Sequence, residues 1–270
     1  MAHKLTIHAK NIRQAVLHMV YEAQASHVGG CFSCVEILTA LYFEILKIKP
    51  EKPDWPERDR FILSKGHAAA TLYAILAEAG FFPKQRLREY GLNGSLFSGH
   101  PVLNKIPGVE VSTGSLGHGL AIGAGLALAA KHNKKPYRTF VLLSDGECDE
   151  GAVWETALFG AHHQLDNLVA IIDYNKIQAF GRTNEVLNLE PLKKKWQAFG
   201  WSVKEIDGHN LTQVVKNLSS VPWQKKQPSL LIAHTIKGKG VSFIEDSLFW
   251  HYHSPDKNEL EKGLKEINQT

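Results

Sequence analysis

A chain of 270 residues, 44% hydrophobic and 21% charged, holds ample material for a core, and its net charge of +4 is too small to keep it disordered. The basic excess is scattered, its longest runs being Lys193-Lys194-Lys195 and Lys225-Lys226, so no nucleic-acid face is expected. The most apolar stretch, residues 120–130, is shorter than the ~20 residues a membrane helix needs, the N-terminus lacks a signal-peptide pattern, and three cysteines point to a reducing compartment, hence a cytoplasmic protein with no membrane partner.

In chain order, Ile12, Ala15, Val16, Met19, Val20 and Ala23 form a helical stripe and predict a helix over 7–25. A second helix is expected over 35–45, after the Gly29-Gly30 break. Cys31 and Cys34 form a lone pair without the further ligands zinc requires, and read as small buried hydrophobes. A short strand over 60–63 precedes helices over 68–79 and 83–90, each ended by glycine. Residues 92–113 have no period, and so long an irregular stretch in a compact chain is usually functional. Beyond it come a helix over 117–132, a continuously apolar strand over 139–143, a helix over 152–163 and a buried strand over 168–172. A loop over 173–183, a helix closing at 196–199, a strand over 201–206, a helix over 211–218, a strand over 230–233 and a final helix over 256–267 complete the chain. Strand–helix alternation of this kind predicts an α/β fold, a parallel sheet flanked by helices on both faces, with ligands at the carboxyl ends of the strands.

The chemistry concentrates at two of those ends. Ser144-Asp145-Gly146-Glu147 follows one strand and Asp173-Tyr174-Asn175-Lys176-Ile177 follows the next. A carboxylate and an amide carbonyl at neighbouring strand ends suit a hard cation such as Mg²⁺. The helix that follows Asp145 would turn its positive end toward anionic phosphates. On spacing alone, Asp145 capping that helix and Asn175 shaping a turn remain equally open. Gly238 and Gly240, far away in sequence, read as loop flexibility.

Asp145-Gly146 followed about thirty residues later by Asn175 resembles the thiamine-diphosphate signature, with Ser144 in place of its first glycine. Four further segments narrow the resemblance to the transketolases: Ser64-Lys65-Gly66-His67-Ala68, Gly99-His100-Pro101, Ser112-Thr113-Gly114-Ser115-Leu116-Gly117-His118-Gly119, and Ser26-His27-Val28-Gly29-Gly30. The resemblance implies a thiamine-diphosphate-binding fold. It implies metal ligation by Asp145, Asn175 and the carbonyl of Ile177, with Mg²⁺ replaceable by Ca²⁺ or Mn²⁺. It implies cofactor contacts from His67, Gly114, Leu116, Gly146 and His251, and a role for Glu150 in coupling two active sites. It places His27, His67, His100 and His251 in catalysis, as groups that hold substrate and move protons near neutral pH. Tyr252 follows His251 where the family has glycine, and His253 competes for that position. His118 stands where the family has glutamine and would preserve a hydrogen bond.

Single-chain transketolases are more than twice this long, so the resemblance implies one diphosphate-binding domain over 1–270. A partner chain would supply the pyrimidine and C-terminal domains, in an α2β2 heterotetramer. The implied reaction is transfer of a two-carbon ketol unit from a ketose phosphate to an aldose phosphate, as in the pentose phosphate pathway. Two other readings stay open: a related transferase acting on another sugar, and a catalytically silent regulatory subunit.

Overall fold

The computed structural model describes residues 2–269; Met1 and Thr270, the outermost positions of the expected domain, lie outside them. Ten helices and five strands follow in chain order among the described residues: α1 (Ala2–Glu22), α2 (Val28–Ser33), α3 (Val35–Ala40), β1 (Arg60–Leu63), α4 (Ala69–Glu78), α5 (His118–His132), β2 (Thr139–Ser144), α6 (Gly151–His162), β3 (Leu168–Tyr174), α7 (Thr183–Val186), α8 (Leu192–Ala198), β4 (Ser202–Asp207), α9 (Leu211–Leu218), β5 (Ser229–His234) and α10 (Lys257–Gln269). The strands form one fully parallel sheet in the order β1-β2-β3-β5-β4.

Alternation along the strands explains the two helical layers, because successive side chains point to opposite faces. Phe140 and Leu142 of β2 and Val169 and Ile171 of β3 join the core under α1–α4, α9 and α10. Val141, Leu143, Ala170 and Ile172 join the core under α5, α6 and α8. Every residue of β2 and β3 is buried, which is why both strands read as unbroken apolar runs. Close packing is tightest at Gly123 of α5, where a Cβ would stand 2.5 Å from Val141 Cγ2. Only a residue without a side chain lets α5 lie that near the sheet.

The structure departs from the sequence expectation in instructive places. The helix expected over 35–45 is α-helical only to Ala40 and ends in a π-helical turn, Leu41–Ile45, while 83–90 is a run of 3-10 turns. β3 continues past residue 172 through Asp173 and Tyr174. An aspartate looks like a strand end in sequence, yet here Asp173 is fully buried on the Lys65 ammonium. The stretch 92–113 contains neither helix nor strand, as its composition predicts.

A second buried charge cluster ties the layer on one face together. The Arg13 guanidinium on α1 donates to Glu36 on α3 at 2.8 Å, and His209, after β4, meets the same carboxylate at 3.0 Å. Among the described residues no helix is long and apolar enough to cross a membrane.

Candidate active site

β2 and β3 are neighbours in register, Ser144 facing Asp173 across the ladder, so the segments that follow them emerge side by side. Asp145 turns directly into a 3-10 segment, Gly146–Asp149, and its carboxylate accepts from the Gly146 and Lys176 amides at 2.8 and 2.5 Å. Asn175 Oδ1 accepts from the Ile177 amide at 3.1 Å. These groups open into a crevice of about 400 Å³ at the carboxyl ends of the strands. His27, His67, Gly114, Leu116, Asp145, Gly146, Glu150, Asn175, Ile177 and His251 all line it. His100 stands outside its wall, exposed on the irregular loop, with its ring packed over Gly114, where a Cβ would lie 3.2 Å from the imidazole. A larger hollow, about 820 Å³, lies between α1 and α4. The carboxylate on its wall, Glu78, is already engaged by His8, Asn11 and Lys84.

Three imidazoles form one side of the crevice. The ring of His27 lies 5.4 Å from that of His67 and 5.0 Å from that of His251, centre to centre. His27 sits in the left-handed region, φ 73°, as the N-cap of α2, and its amide donates to the His251 carbonyl at 3.0 Å. His253, the competing histidine, instead pairs with Glu259 at 3.0 Å and does not line the crevice. His118 is exposed and its Nδ1 lies 3.1 Å from the Leu116 carbonyl.

Charge in the crevice is finely opposed. Burial and the neighbouring Asp173 push the Asp145 carboxyl up to about 7, and its contacts are two backbone amides. Asp173 itself is held below the usual carboxylate range, because Lys65 outweighs the effect of burial. Ser33 and Thr235 also donate to it, and Lys65 donates to the Gly30 carbonyl at 2.9 Å. Burial, with the nearby cations, lowers all three imidazoles: His27 to about 4, His251 to about 3, and His67 well below its ordinary value. They are therefore neutral at physiological pH, each a donor and an acceptor at once, rather than the proton carriers titrating near neutrality that an ordinary histidine pKa suggests.

The donor set fits a hard divalent ion. A buried carboxylate without a cationic side-chain contact, an amide carbonyl and a main-chain carbonyl share one wall. Two lysines, Lys65 and Lys237, line the same crevice and give it the positive charge a diphosphate needs. Sequence reading assigned neither. Lys65 lies inside a recognised segment but looks like a surface residue. Lys237 follows β5, and only the strand order, with β5 beside β3, brings it to the site. The turn it opens is packed, not loose: the Gly238 amide donates to the Gly29 carbonyl at 2.9 Å. Glu147 was missed too. Its buried carboxylate accepts from Ser64 and from the Gly117 amide, joining the ends of β1 and β2 to the loop that carries Gly114 and Leu116.

Residues 4–262 match the family described as transketolase, thiamine diphosphate binding domain. One of the two subunits of an apulose-4-phosphate transketolase from Phocaeicola vulgatus is 44% identical over 265 residues, 98% of this chain and 94% of that one. A 6-deoxy-6-sulfo-D-fructose transketolase subunit from a Clostridium species is 43% identical over 90% of this chain and 88% of its own length. Human transketolase is 38% identical over 96% of this chain, which spans only 41% of it. Among solved structures, the transketolase from Leishmania mexicana superposes with a TM-score of 0.93 at 28% identity, covering 98% of this chain and 41% of that one. With nearly its whole length matched to that domain and to separately encoded subunits, the chain belongs to the transketolase family, as a thiamine-diphosphate-binding N-terminal subunit.

Proposed function

We propose that this chain is the diphosphate-binding half of a two-chain transketolase that moves a two-carbon ketol unit from a ketose phosphate to an aldose phosphate. The observation that carries the reading is the single crevice uniting Asp145, Asn175 and the Ile177 carbonyl with the imidazoles of His27, His67 and His251. Asp145, Asn175 and Ile177 would hold Mg²⁺, with Ca²⁺ or Mn²⁺ as substitutes, since these are hard oxygen donors. Lys65, Lys237 and the backbone at Gly146 face the diphosphate, and Gly114 and Leu116 offer their backbone to the aminopyrimidine. Thiamine diphosphate, when bound, supplies the carbanion sink. His27 and His100 orient the sugar's hydroxyls and carbonyl, and the neutral imidazoles of His67 and His251 donate to ligand oxygens. Glu150, exposed on the rim beside Leu116, is placed to face a second chain.

A partner polypeptide carrying the pyrimidine and C-terminal domains completes the enzyme in this reading. The names of the split relatives favour a sugar other than the pentose phosphates, so donor choice is part of the test. The chain, mixed with a candidate C-terminal subunit, thiamine diphosphate and Mg²⁺, is offered xylulose 5-phosphate, apulose 4-phosphate or 6-deoxy-6-sulfofructose with an aldose phosphate acceptor. Ketol transfer from one of these is expected. Asp145→Ala and Asn175→Ala should each lower it by at least the ~10–100-fold that loss of a supporting metal contact costs. Full activity in both variants would refute the metal assignment. A complex that neither transfers from any donor nor melts higher with cofactor and metal would be the silent subunit instead.

A further inference from the structure

Lys237 is 3% exposed, and its ammonium has two fixed acceptors, the Ile177 carbonyl at 2.9 Å and His251 Nδ1 at 2.8 Å. Its position is built in. The Lys237 carbonyl accepts from the Asp246 amide at 2.8 Å, and a Cβ on Gly29 would stand 3.0 Å from Lys237 Cγ, so the stem lies flush against the α2 backbone. An ammonium carries only donors. The imidazole nitrogen facing it must therefore accept, and in a neutral ring the single proton then sits on the other nitrogen.

That ring is itself held. The His251 carbonyl accepts from His27, and the imidazole packs edge-on against His27 at 5.0 Å and Tyr252 at 4.6 Å. Among the described residues Nε2 has no protein partner, and the residue lines the crevice. We infer that Lys237 is a positioning residue that locks His251 in its Nε2–H tautomer, so that the crevice receives a fixed neutral hydrogen-bond donor aimed at an anionic or carbonyl oxygen of the ligand, and not a base. The inference rests on the cofactor reading only for the identity of that ligand. The lock belongs to the protein alone.

The test is long-range ¹H–¹⁵N correlation on the full chain labelled in histidine, with the His251 ring assigned by its loss in His251→Gln. The wild-type ring is expected as Nε2–H, unchanged through neutral pH. Lys237→Met should give a mixture of tautomers and Lys237→Arg should restore the single one, a rescue that a merely space-filling lysine would not produce. In the complex with its partner, His251→Gln, whose amide N–H takes the place of Nε2–H, should bind thiamine diphosphate about 10-fold or more tighter than His251→Leu, the fold-change expected for one hydrogen bond to a charged group. A wild-type ring protonated on Nδ1, or a spectrum unmoved by Lys237→Met, overturns the lock. A locked ring in a complex that ignores thiamine diphosphate overturns the cofactor reading and leaves the lock standing.

Discussion

His27 shows how a single residue trades stability for placement. A non-glycine residue in the left-handed region costs about 1–2 kcal/mol, and this one holds φ 73° at the start of α2. The conformation throws its ring against His67 and His251 while its amide reaches the His251 carbonyl. His27→Gly removes the strain but adds about 0.5–1 kcal/mol of backbone entropy loss. The melting free energy should therefore stay within about 1 kcal/mol of wild type, while ketol transfer by the reconstituted complex collapses. A variant that melts normally and transfers normally would remove His27 from the site. The histidines themselves were legible as residues beside glycine in recognised segments. Their neutrality was not, because it comes from burial and from two lysines delivered by other strands.

At the scale of elements, α1, α3 and the turn after β4 are joined by one buried carboxylate. Burial alone would push Glu36 up, but Arg13 and His209 outweigh it and bring the carboxyl down to about 2. A carboxyl depressed in the folded state binds fewer protons there than in the unfolded chain. Its stabilisation is thus fully present above the unfolded pKa, about 4.5, and is lost as pH falls toward 2. Denaturant melts of the wild type should lose on the order of 3 kcal/mol more than those of Glu36→Gln across that window. Arg13→Met, which leaves the carboxylate without its guanidinium, should cost about 3–5 kcal/mol at neutral pH. Equal acid sensitivity in wild type and Glu36→Gln would show that Glu36 carries none of it. Element existence was readable throughout: periodicity found α5 and α9, and unbroken apolar runs found β2 and β3. What pattern could not reach were features decided by contacts distant in sequence, such as β3 running on through Asp173 because Lys65 neutralises it. The short α2 is another: it is wholly buried and glycine-rich, and shows no period at all.

For the whole molecule, the residues of the crevice wall run from His27 to His251, so the site exists only when the complete sheet has closed. That is why Asp145 and Asn175 could be paired from sequence, being on adjacent strands joined by one helix, whereas Lys237 could not. The transketolase relatives in which this chain spans about two fifths of the length leave the remaining domains to another polypeptide. Closed oligomers are most often built on a two-fold axis. Light scattering of the reconstituted complex should accordingly give the mass of two chains of each kind, and the mass of a simple one-to-one pair would refute that assembly. The rim beside the crevice carries large apolar side chains turned to water: Phe180 at 85% exposure, Phe249 at 63% and Tyr252 at 61%. Apolar surface of this kind drives indiscriminate association when nothing covers it. A cell that translates this polypeptide faster than its companion accumulates sticky orphans, so matched synthesis of the two, rather than excess of either, is the economical arrangement.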